Sequence, residues 1–440
     1  MPLGIDFEMQ DVLEAVRLVS RSVLDSRSYP TVKARISAVL IKEKRMLNVT
    51  AEVPSGASTG THEAYELRDN EIEYGGKGVN NAVSNVNTRI SSLLQQNLNI
   101  SSPDKFDIKM IELDGTENKS QLGANAILAS SIALHRLYAE CNDMPLYEYL
   151  RKKYFPELSD IYRIPRLMSN VINGGVHADS GIDIQEFMIV AKADNIDENV
   201  RLTSEVYNLL KKKLKDSGYS ISLGDEGGFA PHLKTNEESL KIILETIESS
   251  GYRDKFEIAL DCAASEYYDS KIDRYKLDSK LFTREELCTY YINLINKYNI
   301  SSIEDPFHED DYEGWSLLTA KIGDKVKIVG DDLFVTNIKR LQTLGVEKKL
   351  GNMVLIKPNQ IGTVLETVNT IKLAQANNFG TIISHRSGET CDTFIADLAV
   401  ASNSEFIKLG APARGERVAK YNRLLDIYDE INSKTYVKDG

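Results

Sequence analysis

The sequence predicts an α/β protein, a (β/α)8-type barrel preceded by a smaller α+β domain. Three observations carry that prediction. Short apolar runs recur through the second part of the chain, each closes on a polar residue, and each is followed by a segment of helical spacing. The runs are residues 187–190, 258–260, 300–303, 326–329, 353–356, 380–383 and 406–407. The residues closing the last six are Asp261, Glu304, Asp331, Lys357, His385 and Lys408, at intervals of 43, 27, 26, 28 and 23. A strand, loop, helix and return loop consume roughly 25–35 residues, so this is the beat of successive βα units.

The front of the chain reads differently. Strand-like runs at 31–41 and 46–53 flank the charged turn 42–45, and helical periodicity follows at 78–96 and 125–138. This portion is expected to form an α+β domain over residues 1–150. A linker holding Pro156 and ending near Pro165 follows, and the barrel is expected to occupy 151–440.

Composition narrows the function. The 440 residues are 42% hydrophobic and 27% charged, enough apolar material for a large core. Lys+Arg 53 against Asp+Glu 65 gives a net charge of −12, which repels a phosphate backbone. The basic clusters 42–45 and 211–213 read as solvated surface, so no nucleic-acid partner is expected. No window suggests a membrane span, and the first residues do not read as a signal peptide. Cys141, Cys262, Cys288 and Cys391 are scattered without metal or disulfide spacing, so a reducing, cytoplasmic setting is expected.

The chemistry sits at the strand ends. In a βα barrel these ends share one mouth, so the six closing residues should converge. Asp261, Glu304 and Asp331 offer only hard oxygen donors, the preference of Mg²⁺. Asp332 competes with Asp331, but strand alternation turns only one of them inward. Glu186 and Glu226 are further acids, the latter in Gly-Asp-Glu-Gly-Gly-Phe (224–229). Lys357 closes a strongly apolar run; burial beside a metal would push its amine toward the neutral form that a general base needs. Arg386, Ser387 and Lys408 suggest an anion clamp for phosphate or carboxylate. Five acids against three cations leave the mouth negative, so an anionic substrate should require metal. The run Ser-Gly-Ala-Ser-Thr-Gly (55–60) reads as a small-residue lid without the ending of a P-loop. His177 lies in a second glycine-bearing loop.

Taken as a set, these strings resemble the enolase (phosphopyruvate hydratase) family from about Ser22 to Glu430. The matching stretches are Val-Pro-Ser-Gly-Ala-Ser-Thr-Gly (53–60), Gly-Asp-Glu-Gly-Gly-Phe-Ala-Pro (224–231), Ser-Ile-Glu-Asp-Pro-Phe (302–307), Ser-His-Arg-Ser-Gly-Glu-Thr (384–390) and Lys-Leu-Gly-Ala-Pro-Ala-Arg (408–414). The resemblance implies a modified TIM-type barrel whose opening strands depart from plain βα alternation. It implies reversible dehydration of 2-phospho-D-glycerate to phosphoenolpyruvate with two Mg²⁺ per site, and a homodimer or higher even homo-oligomer. By position, Lys357 corresponds to the base at C2, Glu226 to the acid at the C3 hydroxyl, and Glu186 to its assistant. Asp261, Glu304 and Asp331 correspond to ligands of the first metal, and Ser58 to the lid group completing the second. Gln185, Lys357, Arg386, Ser387 and Lys408 correspond to substrate contacts, and His177 to a loop histidine closing over the site. Lysine or histidine bases with one or two Mg²⁺ are general to that superfamily.

The chain also departs from the family pattern. Ser28-Tyr29 replaces a Gly-Asn pair, with Tyr29 expected to resist positive φ. Lys33 and Asp426 exchange the signs of a pair expected across the subunit contact, and Pro358 follows the base, where it could shift the Lys357 backbone. A racemase or cycloisomerase of the same superfamily, or a binding protein without catalysis, are the rival readings; the Glu226 acid and the Arg386/Lys408 clamp speak against the first.

Overall fold

The computed structural model describes residues 5–57, 60–158 and 161–438. Its front portion is an antiparallel meander of β1 (Leu13–Leu24), β2 (Pro30–Leu40) and β3 (Arg45–Glu52). In β2 every second residue from Val32 to Leu40 is buried, the mark of a sheet covered on one face. The cover is the helix Ala124–Cys141, whose alanines let it approach closely and whose surface is buried almost all round. Strand β1 has no clear sequence signal: its charged and apolar residues do not alternate cleanly, and its pairing with β2 is interrupted by a bulge between Glu14 and Arg17.

The small domain is fastened to the barrel by buried polar contacts. Arg136 grips Asp392 with two bonds (2.6 and 2.8 Å), Lys119 meets Glu366 at 2.8 Å, and Asp107 accepts the Leu365 amide at 3.0 Å. Within the 25–30 turn the residue at positive φ is Ser28 (63°), so the strain falls there and Tyr29 escapes it. Lys33 pairs inside its own sheet with Glu52 at 2.7 Å.

The second portion is a closed eight-stranded barrel. It opens with β4 (Arg166–Asn173), β5 (Glu186–Ala191) and β6 (Phe256–Asp261). An excursion follows, a small sheet of β7 (Tyr268–Asp269), β8 (Arg274–Leu277) and β9 (Lys280–Phe282), which explains the long interval before Glu304. The barrel resumes with β10 (Ile300–Glu304), β11 (Lys327–Gly330), β12 (Met353–Ile356), β13 (Gly380–Ser384) and β14 (Phe406–Lys408). β4–β5 and β5–β6 pair antiparallel, whereas the remaining six contacts are parallel. The opening therefore breaks plain βα alternation, as expected. β4 itself is hidden in the sequence, because Ser169 and Asn170 interrupt its apolar run.

Nine apolar side chains form a separate cluster inside the barrel, among them Met188, Ala259, Val329, Leu355 and Phe406. Side chains alternate across a strand, so a residue two places further on points the same way. Two places beyond Ala259, Val329, Leu355 and Phe406 stand Asp261, Asp331, Lys357 and Lys408. The pleat that plugs the floor thus aims charge into the mouth.

Candidate active site

One cavity at the C-terminal ends of the strands is lined by Glu186, Glu226, Asp261, Asp331, Lys357 and Lys408, together with His177, Gln185, His385, Arg386 and Ser387. Glu304 enters through its contact with Lys408. The groups singled out in the sequence therefore meet, with one exception: Ser58 lies outside the described residues. Asp331 carries the contact to Lys357, but Asp332 lines the same cavity. β11 ends at Gly330, so strand alternation no longer governs the pair, and the expectation that only one faces inward does not hold.

Two ammonium groups organise the acids. Lys408, 2% exposed, contacts Asp261 at 3.0 Å, both oxygens of Glu304 at 3.0 Å and Glu186 at 3.1 Å. Lys357 bonds Asp331, whose other oxygen accepts the Gln360 amide at 2.8 Å. Burial resists charge on both lysines, but the carboxylates outweigh it and hold both above the ordinary lysine range. The Lys357 backbone is extended (φ −121°, ψ 103°), the conformation that a following proline favours, and its amide is anchored to Thr336 Oγ1 at 2.9 Å. Pro358 thus restrains the lysine.

The acids divide by surroundings. Burial, reinforced by Glu226, pushes Glu186 well up; burial with Asp261 and Asp331 does the same for Glu304. Glu226 goes the other way: burial raises it, yet His385, His177 and Arg417 together hold it well below the carboxylate range. His177 Nδ1 lies 3.6 Å from Glu186 and 3.7 Å from Glu226, buried rather than at a solvated loop tip. Arg417 donates to His385 Nδ1 at 2.6 Å, which fixes the ring proton on Nε2, 3.3 Å from Glu226. Burial and the Arg417 charge push His385 down to about 3, against the pull of Glu226, and its Nε2 makes no hydrogen bond with the described residues.

Several members of the site are not visible in the sequence reading. Asp305, next to Glu304, accepts the amides of Asp331 and Asp332 at 2.9 Å each and so fixes the β11 end. Arg417, fully buried, ties His385 to the carbonyls of Arg386 and Ser387 at 2.6 Å. Asn170 donates to Glu226 at 3.2 Å. Neighbours of a quoted motif, such as Asp305, are within reach of sequence reasoning; Asn170 and Arg417 act across the fold and carry no local signal.

The donor set suits a hard divalent cation. Among the described residues, the ligand atoms of Asp305, Asp331 and Asp332 lie within 4.8 Å of one another, as do those of His177, Glu186 and Glu226. Asp261, Glu304 and Asp331 stand around the two ammonium groups instead, which compensate the negative charge that a metal would otherwise meet. Gln185 Oε1 is buried without a hydrogen bond, an oxygen donor available at the same place.

The chain resembles known proteins along nearly its whole length. The family model described as "Enolase, N-terminal domain" matches residues 16–150, and "Enolase, C-terminal TIM barrel domain" matches 161–439. It is 48% identical over 423 residues to an enolase of a Nitratiruptor species, covering 96% of this chain and 97% of that protein. An enolase of Elusimicrobium minutum is likewise 48% identical, over 427 residues and the same shares.

Proposed function

This chain belongs to the enolase family, and on that premise we propose how its barrel mouth performs the reversible dehydration of 2-phospho-D-glycerate to phosphoenolpyruvate and water. The observation that supports the assignment of roles is the convergence of strand-end acids and cations on one buried cavity. Lys357 Nζ takes the C2 proton. Glu226, held as a carboxylate at rest, passes to the C3 hydroxyl a proton supplied by Glu186, whose protonated form burial favours; the hydroxyl leaves as water while the C2–C3 double bond forms. Run backward, Lys357 returns the proton and Glu226 accepts one from water. Glu186 assists Glu226, and His177 lies over the pair. Gln185, Arg386, Ser387 and Lys408 hold the phosphate and carboxylate.

A proton beside a carboxylate is weakly acidic, and its loss builds charge on the carboxylate oxygens. Magnesium ions, two per site on our reading, would be held by Asp261, Glu304 and Asp331 with Ser58, and would supply Lewis-acid stabilisation of that charge. Relief of the Lys357–Asp331 ion pair frees the amine for its role as base. No helix among the described residues is long and apolar enough to cross a membrane. We further propose a front domain over 1–150, a barrel over 151–440, a homodimeric or higher even assembly and a cytoplasmic setting.

The test is Mg²⁺-dependent growth of enol-phosphate absorbance from 2-phosphoglycerate. Turnover lost on chelation and restored by Mg²⁺ supports the reading; purified protein inert at saturating Mg²⁺ overturns it.

A further inference from the structure

The anion clamp is held from the other domain. Glu63 meets the Arg386 guanidinium end-on, Oε2 to Nη1 at 3.0 Å and Oε1 to Nη2 at 3.1 Å, a fork-on-fork pairing with both side chains nearly sealed (7% and 3% exposed). The same carboxylate accepts the Gly60 amide at 3.1 Å and the Gln360 side-chain amide at 3.3 Å. Gln360 in turn donates to Asp331 and accepts from Thr336, the residue that anchors the Lys357 amide. A β-carbon on Gly60 would come within 2.9 Å of Asp332, so the chain makes this close approach through a residue without a side chain. One front-domain carboxylate therefore touches the exit of the Ser/Gly loop, the clamp arginine and the hydrogen-bond chain behind the metal-ligand and base positions.

We infer that Glu63 is a positioning residue for phosphoryl recognition, fixing the Arg386 guanidinium toward the cavity from the front domain. The inference rests on the reading of Arg386 as a phosphate clamp. A carboxylate beside such a clamp repels the incoming phosphate. Were Glu63 a competitor for Arg386, its removal would tighten phosphate binding; as a positioning group, its removal loosens it. The geometry favours positioning. Donors from both domains fix the Glu63 carboxylate independently of the arginine, and Asn359 Oδ1 accepts from the same guanidinium Nη1 at 3.1 Å, so the arginine is held from two sides.

The experiment compares Glu63→Gln and Glu63→Asp in the full-length protein with saturating Mg²⁺, reading KM for 2-phosphoglycerate, kcat, calorimetric affinity for inorganic phosphate, and Tm. In Glu63→Gln, KM should rise about tenfold and phosphate affinity fall by a similar factor, with a smaller loss in kcat and little change in Tm. Glu63→Asp, which keeps the charge on a shorter stem, should recover part of both. Unchanged or tighter phosphate binding in Glu63→Gln overturns the inference, as does an equal loss in both variants with a lowered Tm. Wild-type protein inert toward 2-phosphoglycerate strikes the parent reading; an active wild type with an indifferent Glu63→Gln strikes this inference alone.

Discussion

The floor and the mouth of the barrel are built from the same strands and follow opposite rules. At the floor, Ala259, Val329, Leu355 and Phe406 interdigitate and exclude water; one pleat higher, Asp261, Asp331, Lys357 and Lys408 bury charge. Apolar burial at the floor stabilises the fold by about 25 cal/mol per Å². Ionised groups at the mouth lose hydration worth several kcal/mol each, which mutual pairing offsets incompletely. Stability and chemistry are thus segregated along each strand by two residues. Substitutions should reveal the split: at the mouth they remove activity and spare the fold, and at the floor they do the reverse.

The largest effect should come from Lys357→Ala and Glu226→Gln. Each removes a proton-transfer group, and general acid–base catalysis contributes typically 10²–10⁴-fold. We expect turnover to fall by about 10³-fold or more in either variant while circular dichroism and Tm stay near wild type. Wild-type rates in Lys357→Ala or Glu226→Gln would remove these residues from the mechanism.

Leu355→Ala, two residues before Lys357, probes the other half of the comparison. Leu355 is fully buried in the floor cluster. Truncation there should cost about 2–5 kcal/mol, read as a lower denaturant midpoint with unchanged slope. Below the transition, KM for 2-phosphoglycerate should hold within about twofold. A large KM change without loss of stability would mean that floor and mouth are not separable.

Cation removal should act on the mouth through mass action. A divalent ion that binds only the folded chain stabilises it by about 2.7 kcal/mol at a hundred times its dissociation constant. Chelation should therefore lower Tm and leave a folded protein, with Lys357 and Lys408 neutralising part of the acid cluster. Asp261→Asn should flatten the dependence of Tm on Mg²⁺. A Tm indifferent to Mg²⁺ in the wild type would place the ion elsewhere than among these carboxylates.

The same segregation decides what is legible in the sequence. The beat of βα units and the strand-end acids and lysines can be read because apolar runs and their polar stops are local. β4 cannot, because Ser169 and Asn170 face polar partners supplied by the fold: Tyr421 meets Ser169 at 2.7 Å, and Glu226 meets Asn170. Arg417 is hidden for a related reason. It lies in a long helix, where an arginine reads as solvated surface, and only tertiary packing turns it onto His385. Glu63 stands just beyond the Ser/Gly run, yet nothing in its neighbours announces an arginine 323 positions away.

Asp107 sharpens the comparison from outside the barrel, as a buried carboxyl whose hydrogen bonds come from neutral groups. Burial, with the charges of Glu366 and Asp104, pushes it up to about 8, against hydrogen bonds from Ser131 and the Leu365 amide that favour ionisation. The folded chain therefore keeps this proton where the unfolded chain has lost it. Its contribution to stability is full below the unfolded value near 4 and declines as pH rises toward 8. Within that window the slope from one such proton is at most ~1.4 kcal/mol per pH unit. Asp107→Asn should remove the decline while the mouth carboxylates, paired with Lys357 and Lys408, are left as they were. Denaturant melts at about pH 6.5 and 7.5 read the difference. A steeper loss in the wild type than in Asp107→Asn is the expected pattern, and parallel losses in both would assign the pH dependence to the mouth, where Glu186 and Glu304 are also pushed up.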